Sequence, residues 1–264
     1  MTVIDGTKKL LKTLIPYCGQ IELAYSGGKD SDVMLNLCRE VGLDVTPVYH
    51  ATTIDPPGTI KHCREVGAKI IKPAVTFFEL IEKNGLPEDN RRFCCRKLKE
   101  LPPLEGMKKL LVGVRKSESK KREKIYREPT ECRIYGRRKI ERIYPLLYWS
   151  DDDIKKYVES RNLKLHPDYY DELGNFDVTR RLGCIACPLS QKDMRKDFIR
   201  YPRFVREYIR RFKVYQQKHG GSFSTKDPYE VMYAHITGLN DVYDRSLFEF
   251  DARQVMEEFY KIRL

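Results

Sequence analysis

The chain has 264 residues, enough to bury a substantial core, and its hydrophobic fraction of 41% with a mean hydropathy of -0.57 suits a soluble protein. No apolar run approaches the length of a membrane span, and the start lacks the charged, apolar, small order of a signal peptide, so the cytoplasm is the expected compartment and no membrane partner is expected. The formal charge is +12, and the stretch from Arg91 to Arg142, with 19 Lys and Arg against 7 Asp and Glu, carries the whole excess. Such a segment attracts polyanions, either nucleic acid or a multiply charged nucleotide, with a solvated basic loop as the plain alternative.

In chain order, periodicity predicts an amphipathic helix over Thr7 to Tyr17, a buried strand over Gln20 to Tyr25 and a helix over Lys29 to Val41. A strand at Asp44 to Tyr49, a helix at Gly58 to Val66, a strand at Lys69 to Lys72 and a helix at Phe77 to Asn84 repeat the cycle. Lys109 to Val114 and Ile140 to Leu147 read as further buried strands. Strands alternating with helices imply an α/β fold with a mostly parallel twisted sheet and helices on both faces. Ser150 with Asp151, Asp152 and Asp153 marks a helix start leading into Ile154 to Arg161. Beyond Pro188 the pattern is helical, at Gln191 to Arg200, Arg203 to His219, Pro228 to Thr237 and Ala252 to Ile262, broken at Gly220-Gly221-Ser222. The expected division is a nucleotide-binding domain with a cysteine site over 1–189 and a helical extension over 190–264.

The run Ser26-Gly27-Gly28-Lys29-Asp30-Ser31 lies between the first strand and its helix. Adjacent glycines let the backbone approach a ligand closely, and the unpaired N–H groups and dipole of the helix start favour phosphate. It is not a Walker loop, in which four residues separate the first glycine from Gly-Lys. The loop Gly113-Val114-Arg115-Lys116-Ser117-Glu118-Ser119-Lys120-Lys121-Arg122 also follows a predicted strand, and its arginines have the forked geometry that grips phosphate or sulfate.

Eight cysteines without a secretion signal point to metal binding or catalysis rather than disulfides. Cys18, Cys38 and Cys63 read as small packing residues. The tandem pair Cys94-Cys95 and the motif Cys184-Ile185-Ala186-Cys187 supply four thiolates that can surround a metal or cluster if the fold unites them across the 88 residues between Cys95 and Cys184. Cys132 is a possible substitute ligand. His50, His62, His166, His219 and His235 show no metal spacing and are expected to face solvent or pack. Asp55 reads as a ribose contact or a turn residue.

The hexapeptide resembles the PP-loop of the adenine nucleotide α-hydrolases. Together with the block Arg92 to Lys99, with Gly113-Val114-Arg115 followed by Glu118, Ser119 and Arg122, with Tyr144 to Trp149 and with Arg181 to Pro188, it makes the chain similar to the phosphoadenosine phosphosulfate (PAPS) reductase family from about Gln20 to Leu189. The tandem cysteine and distant CxxC resemble the members that carry a [4Fe–4S] cluster, which implies Cys94, Cys95, Cys184 and Cys187 as ligands; a zinc site uses the same residue types. The family's reductases attack sulfate sulfur with a cysteine near the C-terminus, whereas the last cysteine here is Cys187.

The leading expectation is therefore an ATP pyrophosphatase, ATP to AMP and pyrophosphate, that activates an acceptor for sulfur transfer, as in DNA phosphorothioation or tRNA thiolation. The loop from Ser26 to Ser31 would hold the pyrophosphate, Lys29 would balance charge on it, and Asp30 would cap the helix or place Mg2+. Arg115 and Arg122, in the block with Glu118, would hold the acceptor or the α-phosphate. The basic 91–142 segment would contact nucleic acid, with Tyr126, Tyr135 and Tyr144 available to stack on bases. The alternative is a reductase of PAPS or adenylyl sulfate that releases sulfite with an external thiol, served by a sulfur donor or thioredoxin-like partner. A third reading is a non-catalytic nucleic-acid-binding relative.

Overall fold

The structure, a computed structural model, describes residues 2–88, 90–188, 191–219, 227–237 and 251–260. In chain order it runs α1 (Val3–Lys12), β1 (Ile21–Ala24), α2 (Lys29–Glu40), β2 (Thr46–His50), α3 (Thr59–Glu65), β3 (Lys69–Ile71), α4 (Phe77–Asn84) and a π-helical turn at Cys95–Lys99. Then follow β4 (Lys109–Val112), α5 (Lys120–Ile125), β5 (Thr130–Tyr135), β6 (Arg138–Ile143), α6 (Asp151–Ser160), α7 (Gln191–Arg200), α8 (Pro202–His219), α9 (Pro228–Thr237) and α10 (Ala252–Tyr260). The predicted break at Gly220-Gly221-Ser222 lies outside the described residues. Among those residues no helix is long and apolar enough to cross a membrane.

The chain forms two compact units that interleave in sequence. The first comprises Met1–Ala51, Pro56–Lys72 and Leu101–Leu182. It holds one six-stranded sheet in the order β3-β2-β1-β4-β6-β5, parallel except for the antiparallel β5–β6 hairpin. Strand order reverses between β1 and β4, which pair from Ile21↔Lys109 to Ala24↔Val112. Their carboxyl ends therefore open the crevice where parallel sheets bind ligands. The core of this unit is built from Leu23, Met34, Leu37, Leu111, Trp149 and Tyr157, all essentially without exposure. Residues 31–35 of α2 are buried all round, because the helix lies between the sheet and its neighbours rather than at the surface.

The second unit comprises Thr52–Asp55, Pro73–Glu100 and Gly183–Leu264. Pro73–Glu100, on the nucleotide-domain side of the division expected at 189/190, packs with the C-terminal helices in this unit. Its core gathers aromatic rings from both stretches: Phe77 lies edge-on to Tyr208 with centroids 5.5 Å apart, and Phe198 stacks on Tyr208 at 6.1 Å. Such ring pairs add to the area they bury.

Strand β5, α5 and the π-helical turn were not predicted. The hairpin β5–β6 falls in the basic segment, and its outer strand has five of six residues exposed, so no buried face announced it. The predicted strand at Ile140 to Leu147 begins two residues earlier and stops at Ile143, where the chain turns through Tyr144-Pro145-Leu146-Leu147.

Candidate functional site

The nucleotide loop lies after β1, at the strand-order reversal. Gly27 has φ +73°, a left-handed conformation natural to glycine, and a β-carbon there would stand 3.3 Å from Thr59 Cγ2. Gly28 is the N-cap of α2 and offers no side chain to cap it; Ser31 N–H donates back to Gly28 O at 2.9 Å, and the Lys29 N–H faces the Tyr169 hydroxyl. A β-carbon on Gly28 would lie 3.1 Å from the Tyr169 hydroxyl. Ser31 Oγ donates to Gly28 O at 2.7 Å and lies 3.2 Å from Ser26 Oγ, so the two serines brace the turn.

Lys29 is 4% exposed; its Nζ donates to Arg180 O at 3.1 Å and lies 5.3 Å from the centre of the Tyr169 ring. Burial holds its pKa below the usual lysine value, against the pull of Asp30. Asp30 Oδ1 accepts from Arg115 Nε at 2.6 Å, while Oδ2 faces Lys29 Nζ at 3.9 Å.

Arg115 is placed differently from a simple phosphate grip. It is 1% exposed, and Nη1 donates to Ser117 Oγ at 3.0 Å while Nη2 donates to Asp151 Oδ1 at 2.8 Å. With Nε on Asp30, the whole guanidinium fork is committed within the protein and fixes the orientation of Asp30. Arg122 is likewise paired with Glu118, and Arg181 Nη2 donates to Glu118 O at 3.2 Å. Glu118 and Asp151 partly neutralise Arg115, Arg122 and Arg181. Asp151, in the first turn of α6, is a member of this network that sequence reasoning treated only as a helix-start signal.

Beneath the loop is a polar network that sequence reasoning also missed. Tyr25 donates to Asp32, and His62 Nε2 lies 3.0 Å from each Asp32 oxygen. His166, without exposure, sits edge-on to His62 at 6.2 Å and 3.4 Å from Thr59 Oγ1. His62 and His166 are thus not solvent-facing; they support the floor of the loop. Asp55 is a turn residue, accepting from Thr52 N at 2.9 Å and Thr52 Oγ1 at 2.6 Å. Tyr144, at 1% exposure, donates to Glu131 at 2.5 Å and packs edge-on against Tyr126, so it is unavailable for stacking on bases.

In the second unit, Cys94, Cys95, Cys184 and Cys187 line one pocket, which encloses about 330 Å³ including open solvent. Ile54, Phe77 and Leu98 form apolar walls, and Lys99 brings a cation. Cys95 opens the π-helical turn and Cys94 immediately precedes it, and in the CxxC Ala186 takes φ +55°, held by its N–H to Asp197 Oδ2 at 2.9 Å. π-Turns and left-handed non-glycine residues concentrate at functional sites. Cys95 is drawn down to about 6, first by the Cys94 thiol that donates to it and then by Arg92 and Lys99; Cys94 is pushed up by the same bond and by burial. Among the described residues no three Cys, His, Asp or Glu side chains converge closely enough to hold a single metal ion. Cys132 lies on the exposed strand β5 of the first unit.

A phosphate-binding loop at the switch point of a parallel sheet defines a PP-loop nucleotide-binding protein. The phosphoadenosine phosphosulfate reductase domain matches residues 20–190, and the chain belongs to that family. It is 27% identical over 203 residues to an uncharacterized protein of Methanocaldococcus jannaschii, a match covering 72% of this chain and 46% of that protein, so the chain spans about half the length of that relative. It is 26% identical over 208 residues to adenosine 5'-phosphosulfate reductase 2 of Bacillus subtilis, covering 72% and 82% of the two chains. Among solved structures, PAPS reductase from Candida auris in a phosphate complex has a TM-score of 0.47 at 19% identity, covering 69% of this chain and 93% of that one. Candida glabrata FMN adenylyltransferase scores 0.46 at 18% identity, covering 70% and 61%.

Proposed function

We propose that the protein is an ATP pyrophosphatase that adenylylates an acceptor for sulfur transfer. The observation that carries this reading is the placement of the exposed thiols. Outside the cysteine pocket, the exposed cysteines among the described residues are Cys18 and Cys132. Cys18 precedes β1, at the opposite end of that strand from the loop. Cys132 pairs with Glu141, level with Lys109 and Ile21 at the amino ends of β4 and β1, and lies three strands, about 14 Å, to the side of β1. Neither is set to attack a sulfonucleotide held at the carboxyl ends, whereas attack of an acceptor oxygen on the α-phosphorus of ATP needs no protein thiol.

In this reading the N–H groups at the start of α2 and Lys29 receive the β- and γ-phosphates. The acceptor oxygen bonds to the α-phosphorus, the bond to the bridging oxygen breaks, and pyrophosphate leaves against the Lys29 charge. Asp30, fixed through Oδ1 by Arg115, keeps Oδ2 for the Mg2+ of the nucleotide. A sulfur donor then displaces AMP from the activated acceptor, and the exposed basic residues of 91–142 are where a nucleic-acid acceptor would dock.

The tandem pair and the CxxC, which resemble those of cluster-bearing family members, favour a [4Fe–4S] cluster over zinc as the occupant of the cysteine pocket. Cys94, Cys95, Cys184 and Cys187 would hold it, and it would carry or deliver sulfur or electrons. Lys99 would offset its negative charge.

Sequence similarity to adenosine 5'-phosphosulfate reductases favours a second reading, sulfonucleotide reduction by an external thiol. Anaerobic incubation of cluster-replete protein with α-labelled ATP and, separately, labelled adenylyl sulfate and PAPS decides between them. AMP with pyrophosphate, reduced at least a hundredfold in Lys29→Ala, is expected; sulfite from either sulfonucleotide with ATP left intact overturns the proposal in favour of the reductase.

A further inference from the structure

Gly28 is not a glycine for the sake of its backbone. Its φ of -93° is open to any residue, but a β-carbon there would stand 3.1 Å from the Tyr169 hydroxyl. The second glycine of the PP-loop therefore makes room for a phenol at the start of α2, where a helix favours an anion. Tyr169 reaches that place from the segment after α6, in the same compact unit, where its N–H donates to His166 O at 3.0 Å and its carbonyl accepts from Asp177 N at 2.9 Å. The residue is 3% exposed and its ring meets Phe176 edge-on at 6.4 Å, packing that phenylalanine would serve as well. The hydroxyl oxygen faces the N–H groups of Lys29 and Leu182, while its own proton meets no acceptor among the described residues. Buried donors are rarely left idle, and an oxygen that accepts from N–H groups becomes a stronger donor in turn. Burial, the largest influence, raises the pKa of the phenol, so the proton stays on at neutral pH. Beside it lie Ser26 Oγ, 3.3 Å from the same β-carbon position, and Lys29 Nζ, 5.3 Å from the centre of the Tyr169 ring.

We propose that Tyr169 is a phosphate ligand, donating its O–H to an oxygen of the nucleotide's pyrophosphate group at the start of α2. The inference rests on the nucleotide reading above and adds to it a residue from outside the PP-loop. A hydrogen bond from a neutral hydroxyl to a charged oxygen is stronger than one between neutral groups and fixes the direction of approach. Because the contact is to the pyrophosphate part, AMP, which lacks it, should not sense the hydroxyl.

The test titrates the full chain, wild type and Tyr169→Phe, with pyrophosphate, ATP and AMP in the presence of Mg2+. Pyrophosphate and ATP are expected to bind about tenfold more weakly to the variant, with AMP affinity unchanged. Unchanged pyrophosphate affinity overturns the role of Tyr169. Tighter pyrophosphate binding also overturns it, since the hydroxyl would then be a plug that phosphate must displace, and so does an equal loss for AMP, which would mark a general disturbance of the loop. Each of these outcomes leaves the pyrophosphatase reading to be judged by wild-type turnover of ATP. A wild type that binds neither pyrophosphate nor ATP overturns both.

Discussion

Asp32 shows how a single side chain ties the nucleotide loop to the core. It projects from the first turn of α2 into a buried space, where Tyr25 from the end of β1 and His62 from α3 both bond to it. Removing one partner of a buried pair leaves the other charge uncompensated. Burial alone disfavours charged His62, but the bonds to Asp32 outweigh it and hold its pKa above the usual 6.5; burial also raises Asp32. Both groups therefore bind protons more tightly in the folded chain than in the unfolded one. Their stabilisation is fully present below the unfolded values and is lost as pH rises through the raised ones. Unfolding free energy should fall from pH 6 to pH 8, and His62→Gln should flatten that slope. Urea titrations at the two pH values check this; an unchanged slope in the variant would refute it. In the sequence, Asp32 is indistinguishable from an acid that complements the helix dipole, because its burial depends on what packs around α2.

At the level of elements, helix starts were the most legible features, since each carries its own signal. Thr76 and Ser150 form capping boxes with the acid three residues on, and so does Thr2, although the sequence reading began that helix at Thr7 rather than Val3. The Ser150 box has a further consequence, because Asp151 in the same turn holds Arg115, which holds Asp30. Ser150→Ala should cost about 1 kcal/mol of stability and, by loosening Asp151, weaken nucleotide binding severalfold. Denaturant unfolding and nucleotide titration on one preparation would show both losses; a stability loss with unchanged affinity would separate the cap from the site. Strand β5 was not legible. Edge strands carry charge and lack a buried face, so Thr130–Tyr135 has the composition of a loop. The π-helical turn escaped for another reason: no local residue preference marks it.

Across the whole molecule, the charge of +12 is concentrated in one stretch, but the fold divides that stretch, placing Arg91–Glu100 in the second compact unit and the remainder in the first. Several of its cations are engaged, such as Arg138 with Pro103 O and Leu104 O and Arg142 with Glu131. Arg133, Arg137 and Lys139 of the hairpin remain exposed. If they contact nucleic-acid phosphates, replacing all three by alanine should reduce the slope of log affinity against log salt by about 2 to 3. Binding titrations over a range of salt would measure it, and an unaltered slope would remove the hairpin from the interface.

Local chemistry explains what was readable from residues alone. The PP-loop, the family and the alternation of strands and helices are written in contiguous stretches, where glycine conformations, caps and periodicity act over a few residues. The four cysteines were also identifiable by type and spacing, but their sharing of one pocket was decided by packing across 88 intervening residues. Tertiary structure alone turned Arg115 inward onto Asp30 and Asp151 and buried Asp32 against His62. Each of these outcomes depends on which groups long-range folding removes from water and which partners it leaves within reach, and a linear chain carries no local record of either.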